Sequence, residues 1–208
     1  MELVLVRHAQ PVRVDEGEVE GPADPGLSAH GHTQARRLAD WLAFETFDAV
    51  VTSPLRRARE TAAPLAETLG QPVEVDAGLT EYDATAGAYI PIEDLRAAKD
   101  ERWFATIEGR WADAGGVDPA VFQRHVVPAM SALVERYSGR RVVAVTHGGV
   151  LNVYLADVLH TEALLFFHPE YTSISRVRAA RSGQRSVSSL NETAHLYARR
   201  IPNGEAPP

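Results

Sequence analysis

Short, mostly apolar stretches alternate along this chain with longer stretches in which apolar residues recur every three or four positions. The first short stretch, Leu3–Val6, is unbroken and contains two β-branched valines. Runs of this kind are typical of strands buried on both faces of a parallel sheet. The pattern predicts strands near residues 3–6, 49–53, 73–75, 141–145, 172–178 and 186–190.

The longer stretches have the spacing of one buried helix face and carry residues that favour helix boundaries. Ser28 can cap the first helix, and Gly70 can end the second. Gly31 lies in a first turn, where glycine lowers helix stability; a close approach of backbone or ligand and simple tolerance both explain it. Helices are predicted near residues 28–42, 54–69, 91–111, 118–137 and 150–159. Strands and helices in alternation predict an α/β fold whose sheet is mostly parallel, with at least one antiparallel strand.

The length of 208 residues suffices for one large α/β domain or two small ones. No internal repeat or linker divides the chain, so a single domain over residues 1–208 is predicted, with a frayed tail at 203–208. The sequence contains no cysteine, which excludes disulfides, cysteine zinc sites, iron–sulfur clusters and thiol nucleophiles.

Charge narrows the classes of partner. The formal net charge of −7 argues against non-specific binding to nucleic acid and against adhesion to anionic membranes. Lys99 is the only lysine, so a phosphate pocket would have to use arginines. The chain starts without the basic and apolar regions of a secretory signal, and no apolar run approaches the roughly 18 residues of a membrane helix. A cytoplasmic protein is therefore predicted.

Basic side chains follow three of the predicted strands. Arg7 and His8 come directly after the first strand, Arg57 lies just beyond the second, and His147 follows the fourth. Because the carboxyl ends of strands in an open α/β sheet line its ligand crevice, these side chains are expected to meet there. Imidazole can act as a nucleophile, and guanidinium groups suit phosphate. A structural ion network at the strand ends is the alternative interpretation.

Five motifs, in this order and spacing, resemble the histidine phosphatase superfamily, which is also called phosphoglycerate-mutase-like. The motifs are Arg7-His8-Ala9, Leu27-Ser28-x-x-Gly31-x-x-Gln34-Ala35, Ser53-Pro54-Leu55-x-Arg57-Ala58-x-x-Thr61-Ala62, Leu79-x-Glu81 and His147-Gly148-Gly149. The resemblance covers most of the chain. It implies a three-layer α/β/α fold and a two-step phosphoryl transfer through a phosphohistidine, with no metal and no cofactor.

The resemblance also implies roles for the residues at the strand ends. His8 would be the nucleophile, with its other ring nitrogen held by a hydrogen bond that fixes the tautomer. Arg7, Arg57 and a protonated His147 would surround the oxygens of the transferring phosphoryl group. The helix that starts after Gly148 could add backbone N–H donors to this phosphate site.

Glu81 matches the position of the family's general acid, which would protonate the leaving oxygen and then accept a proton from water. Asp83 is the alternative acid. Val14 occupies a position where the family often has an asparagine that binds phosphate, and another side chain could replace it. Further candidates for the pocket are Gln10, Arg13, His30, Asp83 and Asn152.

The predicted function is that of a phosphomonoester hydrolase acting on a small phosphorylated metabolite. A cofactor-dependent phosphoglycerate mutase and a catalytically weak phospho-ligand binding module are the alternatives. The chain is shorter than typical mutases of this kind and lacks the Gly-x-Trp-Glu-Gly run that often follows the acidic residue, which argues against the mutase. An aromatic-rich segment is expected to cover the site and select the leaving group; its aromatic residues are Tyr82, Tyr89, Trp103, Phe104 and Trp111.

Overall fold

The computed structural model describes residues 1–197, and these form one six-stranded sheet. In chain order the strands are β1 (Glu2–Arg7), β2 (Ala49–Thr52), β3 (Val73–Val75), β4 (Arg141–Thr146), β5 (Ile174–Ala179) and β6 (Arg185–Glu192). Their order across the sheet is β3-β2-β4-β1-β5-β6. The pairs from β3 to β1 are parallel, and β5 is antiparallel to both of its neighbours. The predicted mostly parallel sheet with an antiparallel strand is confirmed.

Helices cover both faces of this sheet. They are α1 (Ala29–Leu42), α2 (Arg56–Leu69), α3 (Ile92–Ala98), α4 (Glu101–Ile107), α5 (Pro119–Arg136), α6 (Gly148–Leu159) and α7 (Ala194–Tyr197). Alternate side chains of β1 point to opposite layers: Val4 and Val6 pack in the cluster of α1 and α2, whereas Leu3 and Leu5 pack in that of α5 and α6. All four are fully buried, as expected for a central strand covered on both faces. The three-layer α/β/α sandwich is confirmed.

Local signals set several helix ends. The Ser28 hydroxyl accepts a hydrogen bond from the Gly31 N–H at 3.0 Å and caps α1. Gly70 adopts a left-handed φ of 63° and ends α2. A side chain at Gly31 would overlap the carbonyl oxygen of Gln10, so a close approach of backbone, one of the two explanations for this glycine, is the correct one.

Two predicted boundaries differ from the structure. Helix α2 begins at Arg56, so Pro54 lies in the preceding turn instead of at the first helical position. The predicted helix over 91–111 is interrupted: Lys99 ends α3 with a left-handed φ of 53°, and Asp100 caps the separate helix α4. Helix α4 ends at Ile107, so residues 108–111 of the predicted helix lie outside it, and Trp111 begins a short 3₁₀ turn instead.

Among the described residues, no helix is both long and apolar enough to cross a membrane. The division of the chain into a single domain over residues 1–208 stays a prediction. The predicted frayed tail at 203–208 lies outside the described residues.

Candidate active site

The carboxyl ends of the three central parallel strands meet at one edge of the sheet. Strand β1 pairs with β4 so that Arg7 lies opposite Thr146, and β4 pairs with β2. His8 and His147, the residues after β1 and β4, therefore lie side by side, with their ring centroids 5.0 Å apart. Both are buried. The structure thus brings together the histidines that the sequence places at two strand ends.

His8 is held in one ring orientation by its own backbone neighbour. Its Nδ1 lies 2.8 Å from the carbonyl oxygen of Ala9, which can only accept a hydrogen bond. The proton of a neutral ring is therefore on Nδ1, and Nε2 carries the lone pair. Burial lowers the pKa of His8 well below its ordinary value, and the charges of Arg57 and Arg7 lower it further. His8 is thus a neutral imidazole with a free nitrogen.

Arg7 is buried beside this imidazole and is oriented by contacts from distant segments. Its Nη1 donates to the Glu93 carboxylate at 2.8 Å and to the Pro169 carbonyl at 2.6 Å. The guanidinium carbon lies 4.0 Å from the centroid of the Tyr171 ring, and the Tyr171 hydroxyl donates to the other oxygen of Glu93 at 2.8 Å. Burial opposes the charge, but Glu93 outweighs it and the pKa of Arg7 is raised, so the guanidinium stays cationic.

Arg57 supplies a second buried cation from the first turn of α2. Its Nη2 donates to Asp83 at 3.1 Å, and its guanidinium carbon lies 4.6 Å from the centroid of the Tyr89 ring. Burial disfavours the charge, but Asp83 contributes most among the groups that keep the pKa of Arg57 raised. Each site arginine is therefore a permanent cation with one carboxylate and one aromatic face against it.

His147 completes the basic group and is fully buried. Its Nε2 lies 2.7 Å from the Ser53 hydroxyl. Burial lowers the pKa of His147 well below its ordinary value, and the charges of Arg57, His8 and Arg7 add to this effect. The imidazole is therefore neutral in the free protein, and the protonated form expected from the sequence requires a bound anion that favours it.

Several buried nitrogens in this group have no protein partner. Within residues 1–197, Arg7 Nε, Arg57 Nε and His147 Nδ1 are buried and form no hydrogen bond. An unsatisfied buried donor costs about 1–3 kcal/mol, so such groups are retained where a ligand can use them. Gly148, the first residue of α6, lies next to Arg7 Nε, where even an added Cβ would remain 3.8 Å away. This arrangement suits an anion with several acceptor oxygens.

Glu81 lies under the first turn of α6 with little exposed surface. Its two carboxylate oxygens accept hydrogen bonds from the backbone N–H groups of Gly149, at 2.8 Å, and of Tyr82, at 3.0 Å. Burial and the charge of Asp83 raise the pKa of Glu81, whereas these hydrogen bonds and Arg57 oppose the rise, and the result is a pKa of about 7. A carboxyl group with such a pKa can both donate and accept a proton near neutral pH.

These groups, except the fully buried His147, line one pocket of about 910 Å³. Arg7, His8, Arg57 and Glu81 line its inner end, and the candidates Asp83 and Asn152 also line it. The amide of Asn152 is already engaged: it donates to the Gly148 carbonyl and accepts from the N–H groups of residues 166 and 167. Asn152 therefore positions the pocket wall, and its role in phosphate binding stays a prediction.

Three candidate pocket residues are not among the residues that line this pocket. Gln10 packs beside α1, where its side-chain oxygen accepts from the Ser28 hydroxyl at 3.2 Å. Arg13 points to solvent and pairs with Asp15 at 2.6 Å. His30 is exposed on the first turn of α1. The strand-end rule applies only to residues that directly follow a strand. It says nothing about residues further along the loop or on the next helix, so the positions of these three side chains could not be predicted.

The aromatic segment expected over the site is divided between pocket and core. Tyr82, Tyr89 and Trp103 line the pocket. Trp111 is instead buried in the core, where it packs on Tyr82 at a centroid distance of 4.8 Å, and Phe104 is 42% exposed and outside this pocket. The expectation is therefore correct for three of these residues and wrong for Phe104 and Trp111.

Glu93 and Tyr171 are site residues that sequence reasoning misses. Glu93 lies in the first turn of α3, where an acidic residue is common because it complements the helix dipole. That local explanation hides its pairing with Arg7, and nothing in the sequence relates position 93 or 171 to position 7. Within residues 1–197, no group of three or more His, Asp or Glu side chains is placed to hold a metal ion.

Comparisons with known proteins agree with this geometry. The family model described as the histidine phosphatase superfamily (branch 1) matches residues 3–193. Glucosyl-3-phosphoglycerate phosphatase of Mycolicibacterium vanbaalenii is 32% identical over 167 residues, which are 76% of this chain and 73% of that protein. A probable phosphoglycerate mutase of Yersinia enterocolitica is 28% identical over 209 residues and covers 94% of this chain and 95% of its own.

Solved structures show the same fold. A mycobacterial glucosyl-3-phosphoglycerate phosphatase has a TM-score of 0.72 at 24% identity, covering 92% of this chain and 99% of its own. A phosphoserine phosphatase of Entamoeba histolytica, in complex with 3-phosphoglyceric acid, has a TM-score of 0.71 at 23% identity and covers 94% of this chain and 98% of its own. At these identities the likeness concerns the fold alone.

Proposed function

The chain belongs to the histidine phosphatase superfamily, and from that membership we propose that it hydrolyses phosphomonoesters of small metabolites through a phosphohistidine on His8. The observation that carries the proposal is the hydrogen bond from His8 Nδ1 to the Ala9 carbonyl, which leaves Nε2 as the free nitrogen beside two buried cations. Curated relatives named as phosphatases, among them the glucosyl-3-phosphoglycerate phosphatase, support hydrolysis as the reaction class.

In the first step Nε2 of His8 attacks phosphorus, and the bond from phosphorus to the leaving oxygen breaks. Charge spreads over the three equatorial oxygens, which Arg7, Arg57 and His147 would stabilise. Their unpartnered buried nitrogens support this role, since donors that are already in place need no reorganisation. The phosphate dianion would itself favour the protonated form of His147.

Glu81 would donate its proton to the leaving oxygen in the first step. In the second step its carboxylate would take a proton from the water that attacks phosphorus, and the bond from phosphorus to Nε2 would break to release phosphate. The pKa of about 7 supports both roles of one carboxyl group at neutral pH. The cationic charge that some phosphatases obtain from metal ions would come here from arginine, so we propose a metal-independent reaction. Cytoplasmic location stays a prediction.

The mutase is a second candidate because the Yersinia enterocolitica relative that matches 94% of this chain is named a probable phosphoglycerate mutase. In a mutase the phosphohistidine returns its phosphoryl group to a sugar-acid hydroxyl instead of to water. Incubation with phosphoglycerate and catalytic bisphosphoglycerate separates the two reactions. We expect inorganic phosphate to be released faster than phosphoglycerate is isomerised.

Trapping the intermediate tests the proposed function directly. Rapid acid-free quenching during turnover of radiolabelled phenyl phosphate should leave label on the protein that is stable to base and labile to acid. His8→Ala should remove this label and lower phosphate release by more than about a thousandfold, because the bond to phosphorus forms at the Nε2 of His8. His30→Ala, at an exposed histidine outside the pocket, is the matched control and should keep both. Turnover in wild type without any labelled protein would contradict the proposal.

A further inference from the structure

The pocket is much larger than a phosphoryl group needs, so most of it must accommodate the leaving group. Its volume of about 910 Å³ lies at the upper end of the range for small-molecule sites. Arg7, His8 and Arg57 occupy only the inner end. The chemistry of the outer walls therefore determines which phosphomonoester fits.

One outer wall is apolar and is formed by α3, α4 and the segment before α3. Ile90, Ile92, Trp103 and Ile107 line the pocket from this side. Ile107 is 50% exposed in the free protein, and an exposed branched aliphatic side chain at a pocket mouth gains free energy when a ligand covers it. This wall offers contact area and few hydrogen bonds.

A second part of the lining is aromatic, and a buried side chain holds its backbone in place. Phe166 and Phe167 line the pocket with ring centroids 4.9 Å apart. The Asn152 carbonyl oxygen accepts from both of their backbone N–H groups, at 3.1 and 3.3 Å. Asn152 is itself buried in α6, so the backbone that carries the two rings is anchored to that helix.

The cations that line the pocket already have carboxylate partners. Arg7 pairs with Glu93 and Arg57 with Asp83. Arg102, on α4, forms a bidentate pair with Asp100, with distances of 2.9 and 2.7 Å.

The remaining histidine of the outer pocket is also paired: His168 Nε2 lies 3.3 Å from Glu93. Glu16 and Asp113 add acidic groups to the pocket lining, and an arginine lies against each: Arg102 is 3.8 Å from Glu16 and Arg110 is 2.6 Å from Asp113. Once the phosphoryl group has taken the inner cations, a second anion on the substrate would meet, among the lining residues, carboxylates and cations that are already paired with carboxylates.

Resting on the proposed function, we propose that the substrate is a phosphomonoester whose leaving group is uncharged and apolar, and that the pocket discriminates against leaving groups that carry a carboxylate. Trp103 is the specificity-determining residue of the apolar wall, and the pair of Arg102 with Asp100 excludes the second anion. Discrimination of this kind combines an attractive surface for one class of ligand with a repulsive environment for the other.

A pair of esters that differ in charge and not in size tests the electrostatic half. We expect wild-type kcat/KM for p-carbamoylphenyl phosphate to exceed that for p-carboxyphenyl phosphate by about tenfold. Asp100→Asn should reduce this ratio by about fivefold, because it frees the charge of Arg102 while the asparagine can still cap α4. Glu101→Gln removes an exposed acid one position further along α4 and should leave the ratio unchanged.

A pair of esters that differ in apolar area tests the other half. Wild type should prefer naphthyl phosphate over phenyl phosphate by about fivefold in kcat/KM, since one additional apolar ring is buried against the walls. Trp103→Ala should remove most of this preference. Phe104→Ala is the matched control, because Phe104 is 42% exposed and lies outside this pocket.

Three results would contradict this inference and leave phosphatase activity intact. They are equal kcat/KM of wild type for p-carbamoylphenyl and p-carboxyphenyl phosphate, a ratio in Asp100→Asn equal to that of wild type, and a preference for naphthyl phosphate that survives Trp103→Ala. A wild-type protein that releases phosphate from none of the esters would instead contradict the proposed function, and the inference would fall with it.

Discussion

At the scale of single residues, Glu81 shows how the fold adjusts the proton affinity of one group. A carboxyl group in water would be ionised at neutral pH and could not donate a proton to a leaving oxygen. Burial and the nearby charge of Asp83 oppose ionisation, and the backbone N–H of Gly149 limits their effect, so the pKa settles at about 7. Asp83 lies two positions away and lines the same pocket, so the choice between the two acids is an experimental question.

Leaving-group dependence distinguishes the two carboxyl groups. Glu81→Gln should lower kcat/KM for phenyl phosphate by about 10²–10³-fold, because kcat/KM reports the step in which phenolate departs and phenolate is a poor leaving group that needs the proton. With dinitrophenyl phosphate, whose leaving group needs no proton, the loss in kcat/KM should be less than about tenfold. In wild type, kcat/KM for phenyl phosphate should fall as the pH rises above about 7, where Glu81 loses its proton.

Asp83→Asn is the comparison for this experiment. We expect a difference between the two esters much smaller than that of Glu81→Gln, since Asp83 contacts Arg57 Nη2 at 3.1 Å and affects the leaving group only by raising the pKa of Glu81. A loss that depends on the leaving group in Asp83→Asn but not in Glu81→Gln would assign the acid to Asp83.

Individual residues differ in how far the sequence reveals them. Arg7, His8 and His147 follow apolar runs directly, so the strand-end rule alone predicts that they meet. Glu93 and Tyr171 are brought to Arg7 by a short helix and by the segment before β5, and their sequence surroundings carry no periodic signal. Tertiary packing determines which side chains of distant irregular segments touch. A single sequence shows no pattern from which such contacts can be predicted.

At the scale of elements, the position of α1 depends on Gly31, because the segment after β1 packs directly against the backbone of this glycine. Gly31 lies in the first turn of α1, and the backbone after β1 crosses it so closely that a Cβ would overlap the Gln10 carbonyl. The Ser28 N–H donates to that same carbonyl at 2.9 Å. This crossing fixes α1 relative to the segment that carries His8.

Gly31→Ala should therefore destabilise the protein, although alanine favours helices by about 1 kcal/mol over glycine. The overlap involves backbone, which cannot move aside as a side chain can, so we expect a loss of about 1–3 kcal/mol in the free energy of unfolding. Urea denaturation measures it. Gly87→Ala is the control, because its added Cβ would meet no atom nearer than 3.9 Å. A Gly31→Ala protein as stable as wild type would show that the crossing can relax at no cost.

The elements that could be predicted are those whose signal is local. Runs such as Leu3–Val6 identify central strands, and Ser28 and Gly70 mark helix ends through their own side chain or backbone. The break at Lys99 could not be predicted, because this lysine adopts a left-handed φ and only glycine signals that conformation by its residue type. Trp111 was expected over the site for a related reason: aromatic content does not distinguish a pocket wall from a core.

At the scale of the whole molecule, the three-layer fold buries histidines in neutral form. His8 and His147 lie at the edge of the sheet, and His195 of α7 is buried beside α1, with its Nε2 3.0 Å from the Thr172 hydroxyl. Burial, with a contribution from the charge of Arg37, lowers the pKa of His195 from 6.5 to about 4. In the unfolded chain these histidines regain ordinary affinity for protons.

The sign of the pH dependence follows from this difference. Between pH 6.5 and about 4 the unfolded chain binds a proton at His195 that the folded protein does not, so stability falls as the pH falls. Glu81 acts in the opposite direction, because its raised pKa means that the folded protein holds a proton from pH 4.5 to about 7. The lowered pKa of His8 and His147 adds to the effect of His195, so the net stability should decrease on acidification.

Replacing His195 separates its contribution from the others. In wild type the proton linkage at His195 accounts for a loss on the order of 2–3 kcal/mol between neutral pH and about pH 4. Altered packing in His195→Gln shifts stability equally at every pH, but glutamine cannot titrate, so the Tm of this variant should decrease less steeply over this range than that of wild type. Because the exposed side chain of His125 touches no buried site, His125→Gln should retain the wild-type slope. Parallel Tm profiles for wild type and His195→Gln would mean that His195 binds its proton equally well in the folded and unfolded chain, contrary to its burial.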